Sequence, residues 1–319
     1  MTPFVRRMAV VIATALFLAL VTAVRAPAQS IQYERPVQVA PQQETIGGGY
    51  VTPDVQRPRP RDYWLQILDV VLLGTAMGLS VWIVVSRRNR VWAFALTVAC
   101  LGYFGFYRQG CICPIGSIQN VSVALTDPTY SIPMVVTAVF FLPLVVAMFF
   151  GRAFCGGVCP LGAIQEVVVL KPIQVPRRLD RALGLLKYAY LFLAILLAIK
   201  PAIARDFVIC RFDPFIGFFR RDGFAHMMAL GGGFLLVGTF VGRPYCRYLC
   251  PYGVLLSWCT RLSRRGVTIT PGKELDCGLC AKACPYGAID QMRAVRKDCL
   301  YCARCYAACP CETKVGVAV

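Results

Sequence analysis

Cysteine is the residue type with which this sequence is best equipped to do chemistry. The 319 residues include 17 cysteines but a single histidine, His226. One histidine cannot supply a bis-histidine haem site or a histidine-rich zinc or copper site, so no haem is expected from this chain. Disulfide scaffolds are typical of short secreted domains without a core, whereas 57% of this chain is hydrophobic. The composition therefore favours metal clusters bound by thiolates.

The densest motif is the segment CLYCARCYAACP near the C-terminus. Its cysteines have the CxxCxxCxxxCP spacing of bacterial ferredoxins, in which the fourth cysteine binds the other cluster. They are Cys299, Cys302, Cys305 and Cys309. The upstream segment CGLCAKACP has the last three cysteines of the same pattern, with Glu274 where the first would stand. Those three are Cys277, Cys280 and Cys284.

Exchange of the fourth ligand between the two motifs predicts two ligand sets for 4Fe-4S clusters. The complete set is Cys284, Cys299, Cys302 and Cys305. The second set, Cys277, Cys280 and Cys309, lacks one ligand, and the sequence leaves open Cys311, Cys259, Glu274 or a three-iron cluster. Zinc also binds CxxC pairs, but the prolines after Cys284 and Cys309 and the PYGAID segment between the motifs favour the ferredoxin interpretation.

A second cysteine pattern, CxxxCP, repeats within the apolar part of the chain. It predicts an inner-face cluster site whose ligands come from two loops. These ligands are Cys155, Cys159, Cys246 and Cys250. A related outer-face group precedes them in each copy and is a candidate for either a cluster or a disulfide. Its members are Cys111, Cys113, Cys210 and Asp213.

From Leu65 the chain alternates apolar segments with short polar connections, and five segments have the roughly 20 residues that a bilayer requires. They lie near 65–86, 91–108, 132–150, 184–200 and 224–242. Residues 1–28 are predicted to be a signal peptide or N-terminal anchor, and residues 29–61 an extracytoplasmic Pro-rich linker. The predicted fold is mainly α: a polytopic membrane helix bundle over 62–265, followed by an α+β domain of bacterial-ferredoxin type over 266–319.

The net charge of +18 is concentrated in short basic runs beside the apolar segments. This distribution indicates that the basic residues lie beside a lipid membrane and do not bind nucleic acid. The residues that mark the cytoplasmic face are Arg87, Arg88, Arg90, Lys171, Arg177, Arg178, Arg181, Arg261, Arg264 and Arg265. Four arginines on the predicted outer face weaken the pattern: Arg205, Arg211, Arg220 and Arg221. We therefore expect a multi-pass protein of the bacterial inner membrane with a cytoplasmic C-terminal domain.

The CxxxCP repeats, followed by CGLCAKACP and CLYCARCYAACP, resemble the NosR/NapH family of membrane-bound 4Fe-4S polyferredoxins, which includes MauN-like proteins. The resemblance covers about residues 65–312. It implies a multi-span protein that moves electrons between a quinol pool or cytoplasmic donor and a periplasmic partner. Two features depart from the family: residues 29–61 are too short for the periplasmic flavin-binding domain of NosR-like members, and Glu274 replaces a cluster cysteine.

The predicted function is electron transfer through two 4Fe-4S clusters, or three or four if the CxxxCP groups also bind metal. The alternatives are an accessory or maturation subunit of a periplasmic metalloenzyme, or a structural subunit of a larger respiratory or photosynthetic complex. No nucleophile with an adjacent base is visible, so the chain is expected to be a component of an oxidoreductase system that acts with redox partner proteins and a possible quinol. His226 is either a satisfied or pore-facing residue or a proton carrier near a quinone.

Overall fold

The computed structural model describes residues 62–110, 113–127, 130, 132–170, 172–199, 213–220, 225–263, 277–290 and 293–310. The predicted signal or anchor segment and the linker lie outside these residues. So do four candidate ligands: Cys111, Cys210, Glu274 and Cys311. His226 belongs to a described helix, but its side chain is not among those described. The predictions made for these positions stay predictions.

Long apolar helices occupy the positions of the first two predicted spans. Helix α1 covers Tyr63–Trp82 and continues through a π-helical segment to Arg87. Helix α2 covers Arg90–Cys100 and continues in the same way to Tyr107. Asn89 caps α2, since its side-chain oxygen accepts hydrogen bonds from two amides of the first turn. This polar break separates two apolar helices that are close in sequence and in space.

The remaining membrane-domain helices are shorter. They are α3 (Pro114–Thr126), α4 (Met134–Phe150), α5 (Ala153–Gly157), α6 (Pro160–Val168), α7 (Arg177–Leu183), α8 (Leu186–Ile199), α9 (Pro214–Arg220), α10 (Ala225–Phe240), α11 (Pro244–Tyr248) and α12 (Pro251–Cys259). Among the described residues, three helical stretches are long and apolar enough to cross a membrane: Tyr63–Arg87, Arg90–Tyr107 and Arg178–Ile199. Helices α4 and α10 lie at the other two predicted spans. With 17 and 16 residues, they are shorter than the predicted length.

Four short helices begin at a proline that follows a cysteine or an aspartate. Cys113, Cys159 and Cys250 are the N-cap residues of α3, α6 and α12, and each has an extended backbone. Proline suits the first helical position because its fixed φ is helical and the amide it lacks would have no partner there. Asp213 precedes α9 in the same way. At each copy of the sequence repeat, a helix thus begins next to a thiol or a carboxylate.

The C-terminal region contains two short helices and one small sheet. Helices α13 (Leu279–Ala283) and α14 (Arg304–Ala308) pack against each other. Strands β1 (Ile289–Asp290) and β2 (Arg293–Ala294) pair antiparallel between them in sequence. The N-cap residues of the two helices, Gly278 and Ala303, both have left-handed backbones. This similarity reflects the two related cysteine motifs, and we call residues 277–310 the ferredoxin-like tail.

The ferredoxin-like tail packs directly on the loops that follow α4 and α10. A side chain at Gly156 would collide with the carbonyl oxygen of Leu300, and one at Gly242 would collide with Pro285. Gly151, with φ +88, lies against the ring of Tyr301. The Tyr301 hydroxyl donates a hydrogen bond to the last carbonyl of α4. Glycines therefore allow the backbones of the membrane domain and the tail to come into contact.

We expect Gly156→Ala to loosen this contact. The added methyl group must displace the Leu300 backbone, which costs about 1–3 kcal/mol by analogy with other overpacked sites. Urea unfolding should show this loss, and limited proteolysis should cleave the tail faster. Gly232→Ala in α10 is the matched control, because a side chain there meets nothing within 4 Å. Equal stability and protease resistance of the two variants would contradict the close packing.

Candidate metal centres

The structure brings together the four cysteines of the two CxxxCP repeats. Each is buried, with 6–8% of its surface exposed. The Cys159 thiol interacts electrostatically with the other three. They are contributed by the α5–α6 and α11–α12 segments: Cys155, Cys159, Cys246 and Cys250. We call this group the repeat site.

The two halves of the repeat site are built alike. The amide of Gly162 donates a hydrogen bond to the Cys159 sulfur, and the amide of Gly253 does the same for Cys250. Each of these glycines also lies against a backbone carbonyl of the first cysteine in its own copy, Cys155 or Cys246. The glycine of each CPxG motif thus permits a close turn around the thiols, as expected for backbone that approaches a bulky ligand.

Gln165 joins the two copies at the repeat site. Its Nε2 donates to the Cys246 sulfur at 3.3 Å, and its Oε1 accepts from the backbone amide of Tyr245 at 3.0 Å. The side chain is completely buried. A polar side chain from the first copy therefore orients a thiol of the second, and hydrogen bonds to sulfur are one means by which proteins tune bound clusters.

The complete ferredoxin set lines a single cavity in the tail, which we call the tail site. Cys284, Cys299, Cys302 and Cys305 all border it. The cavity is partly open to solvent. Its other lining residues are mostly apolar, and its backbone supplies amides that donate to three of the four sulfurs. The structure thus brings together the four residues that the exchanged-ligand scheme groups.

The incomplete ferredoxin set is also drawn together. Cys280 interacts electrostatically with Cys277 and Cys309, and Cys277 is exposed to solvent. Of the candidate fourth ligands, Cys259 lies at the end of α12 and interacts with Tyr252 of the membrane domain. Glu274 and Cys311 lie outside the described part of the chain. The fourth position of this set stays open.

The predicted outer-face group is represented by Cys113 and Asp213. Asp213 is 2% exposed and has hydrogen-bonding partners of its own. Its Oδ1 accepts from the Phe215 amide at 2.9 Å, which caps α9, and its Oδ2 accepts from the Tyr245 hydroxyl at 2.6 Å. Tyr245 directly precedes a cysteine of the repeat site. Asp213 therefore faces the second inner repeat, and its role as an outer-face ligand stays a prediction.

The donor sets suit iron–sulfur clusters better than single metal ions. Among the described residues, no three His, Cys, Asp or Glu side chains converge closely enough to bind one ion. The thiolates around a 4Fe-4S cluster each bind a different iron, so they stand farther apart. Burial raises the pKa of Cys299 to about 12 and that of Cys302 to about 11. Such thiols ionise when a metal replaces the proton. At the tail site, four thiols around a mostly apolar space with amides directed at sulfur fit such a cluster. At the repeat site, four buried thiols with two glycine amides directed at sulfur fit it as well.

A buried carboxylate, Glu166, connects the repeat site to the tail site. It stands in α6, about two helical turns after Cys159, and is 1% exposed. Its two oxygens bind Arg90 at 2.6 Å, Arg243 at 3.0 Å, Arg304 at 3.1 Å and the Tyr286 hydroxyl at 2.7 Å. We call these five residues the Glu166 hub.

The arginines of the hub also bind the backbone on both sides. Arg243 donates to the carbonyls of Cys155 and Gly156 in the membrane domain. Arg90 donates to the carbonyl of Cys302 in the tail at 2.6 Å. Burial alone would raise the pKa of Glu166, but the guanidinium groups of Arg243, Arg90 and Arg304 outweigh it and lower the pKa to about 2. The hub is therefore ionised at neutral pH and fixes one site relative to the other.

Sequence reasoning misses the hub and its arginines. By its position Arg90 marks the cytoplasmic face, although in the structure it is bound to Glu166. A signal is present in the sequence: Gly-Arg precedes each CxxxCP motif at the same spacing, at residues 151–152 and 242–243. A single charged residue, Glu166, in the otherwise uncharged helix after the second cysteine is a second signal.

Known proteins are similar to parts of this chain. A family model described as a 4Fe-4S binding domain matches residues 132–175 and 224–270, and a second model of the same description matches residues 275–290. The chain is 29% identical over 216 residues to the putative electron transport protein YccM of Escherichia coli (strain K12), which covers 62% of this chain and 60% of that protein. It is 32% identical over 147 residues to protein NirI of Paracoccus denitrificans (strain Pd 1222), covering 43% and 20%. The chain thus spans less than two thirds of each of these relatives. No solved structure matches it.

The matched families and the thiol sites agree on the cofactor. The chain carries 4Fe-4S binding domains, and the matched segments contain the four cysteines of the repeat site together with Cys277, Cys280 and Cys284. The three long apolar helices and the composition indicate a membrane protein.

We expect Glu166→Gln to destabilise the protein by about 3–5 kcal/mol at neutral pH, because it leaves buried guanidinium groups without their counter-charge. The pKa of Glu166 is about 2 in the folded protein, below its ordinary value of 4.5. The carboxylate therefore contributes stability above pH 4.5, and this contribution is lost as the pH falls toward 2. Urea unfolding of both proteins across this range should show the stability difference narrowing as the pH falls.

Asp180→Asn is the control for this prediction. Asp180 binds Arg247 at 2.8 Å, but 32% of the aspartate side chain is exposed. Loss of such a partly exposed pair should cost less than about 1 kcal/mol. A Glu166→Gln effect no larger than the control, or one that does not change with pH, would contradict the role given to the hub.

Proposed function

We propose that the protein is a membrane iron–sulfur relay, which passes electrons between a cytoplasmic or quinol donor and a redox partner on the periplasmic side or in the membrane. The cysteines of the tail site, of the repeat site and of the incomplete set (Cys277, Cys280 and Cys309) would bind the clusters of this relay. A bound 4Fe-4S cluster supplies one-electron chemistry, which thiolate ligands in a buried setting support. This proposal agrees with the resemblance to NosR/NapH-like polyferredoxins.

The observation that carries the proposal is the direct contact between the segments that bear the two complete ligand sets. Gly156, next to Cys155 of the repeat site, lies against the carbonyl of Leu300, which sits between Cys299 and Cys302 of the tail site. Electron tunnelling slows steeply with distance, so adjacent ligand loops favour transfer between the sites. The chain itself contributes the rigid spacing that such transfer requires.

Further contacts hold this spacing. Arg90 links Glu166 to the Cys302 carbonyl, and Arg152 donates to the Lys297 carbonyl at 3.1 Å. On the other side, Arg247 donates to the Pro285 carbonyl at 3.2 Å. Because arginines of both repeats bind the tail, both CxxxCP loops hold the tail in place. Such attachment suits a fixed relay better than a tail that must detach to reach a partner.

For the membrane arrangement we propose five spans with the tail on the cytoplasmic side. The apolar helices α1, α2, α4, α8 and α10 would be these spans, and the basic runs beside them support this orientation. The proposed domains are a signal or anchor at 1–28, a linker at 29–61, the membrane domain at 62–265 and the tail domain at 266–319. The outer-face cysteines would lie nearest to a periplasmic acceptor.

The first test counts the clusters and assigns them. Iron and acid-labile sulfide are measured on the anaerobically purified full chain and on Cys155→Ser and Cys284→Ser variants. We expect each substitution to remove about one cluster's iron and one EPR signal. Cys100→Ala is the matched control, because Cys100 is buried within α2 and is not part of the predicted sites. If Cys155→Ser retained the iron content of the control, the repeat site would not hold a cluster.

The second test measures electron flow. The protein in sealed vesicles is reduced from the side on which the tail is exposed, and reduction of a membrane-impermeant dye on the other side is followed. We expect dye reduction that falls at least about tenfold in Cys155→Ser and Cys246→Ser and persists in Cys100→Ala. Loading with clusters but no transfer in the wild-type protein would overturn the relay and favour an accessory role.

A further inference from the structure

Each CxxxCP copy is preceded by an arginine that reaches the other copy. Arg152 stands three residues before Cys155, and Arg243 stands three residues before Cys246. A methyl group added at Gly162 of the first copy would lie 3.1 Å from the guanidinium of Arg243. One added at Gly253 of the second copy would lie 3.0 Å from that of Arg152. Each guanidinium group thus lies against the glycine of the other copy, and an approximate two-fold relation connects these two contacts.

The two arginines differ in their counter-charge. Arg243 is fully buried and forms an ion pair with Glu166 at 3.0 Å. Glu166 stands seven residues after Cys159, and the position seven residues after Cys250 is Ser257. The carboxylate that pairs with Arg243 therefore has an uncharged serine as its equivalent in the second copy.

Arg152 is 7% exposed and makes no ion pair with the described residues. It donates to the Lys297 carbonyl at 3.1 Å and lies 4.0 Å from the Cys155 sulfur, while its Nε has no hydrogen-bond partner among the described atoms. A buried, unbalanced cation is costly unless an anion lies beside it. The four thiols of the repeat site, once ionised around a metal cluster, are the anion that this position fits.

We propose that Arg152 is the residue that sets the reduction potential of the repeat site, as an unbalanced positive charge beside its sulfurs. The inference rests on the proposed function, since it requires a cluster at the repeat site. Reduction adds one negative charge there, and a nearby cation in a buried setting stabilises that charge. Arg152 thus raises the potential of this site.

The test is an EPR-monitored redox titration of the full chain, purified anaerobically. The repeat-site signal is identified as the one that Cys155→Ser removes. We expect Arg152→Gln to shift the midpoint potential of this signal to more negative values, and Arg152→Lys, which keeps the charge, to shift it less. The signal of the tail site, removed by Cys284→Ser, is the internal reference and should move less than that of the repeat site.

A second variant tests the same idea without removing Arg152. Ser257→Glu restores on α12 the carboxylate that α6 has at Glu166, and we expect it to lower the repeat-site potential. Ser257→Gln, of the same size but uncharged, should leave the potential near that of the wild-type protein. Ser257→Glu carries the test if Arg152→Gln fails to fold.

The outcomes separate the two proposals. If the Cys155-dependent signal is present but neither Arg152→Gln nor Ser257→Glu lowers its potential, the role of Arg152 is wrong and the relay stands. An equal shift for Ser257→Gln and Ser257→Glu also overturns the role, because charge would then not be the cause. If the wild-type protein has no Cys155-dependent cluster signal, the proposed function fails, and the inference fails with it.

Discussion

The ionised carboxylate of Glu166 is the interaction on which the arrangement of the two thiol sites depends. It binds one arginine from α2, one that reaches the first repeat from the second, and one from the tail. Each arginine alone would be an expensive charge to bury, and together they would repel one another. A single carboxylate with a lowered pKa binds all three, and together these residues link the membrane domain to the ferredoxin-like tail.

The two CxxxCP copies beside the Glu166 hub are related by an approximate two-fold. The proposed redox role comes from the position at which the two copies differ. Both copies start a helix at Cys-Pro, direct a glycine amide at sulfur and send an arginine across to the other copy. The first copy alone has Glu166, and the second has Ser257. Arg243 is therefore ion-paired with a carboxylate, whereas Arg152 lies beside the Cys155 sulfur with no ion pair among the described residues.

Local sequence rules predict much of this architecture. Apolar length and basic flanks indicate the positions of the five apolar helices, and ferredoxin spacing groups the four cysteines that line the tail cavity. Helices α4 and α10 begin and end within two residues of their predicted bounds. The Glu166 hub cannot be predicted from the sequence, and the reason is physical. Arg90 and Arg304 are far apart in sequence, and an arginine near a membrane segment has the same local signature whether it faces solvent or binds a buried carboxylate.

The most direct test of adjacent clusters is EPR spectroscopy of the fully reduced protein, because two paramagnetic clusters held close together perturb each other's spectra. We expect spin–spin broadening or splitting of the tail-site signal that disappears in Cys155→Ser, with the tail-site iron retained. A tail-site signal identical in the wild-type protein and in Cys155→Ser would contradict adjacent clusters in the membrane domain and the tail.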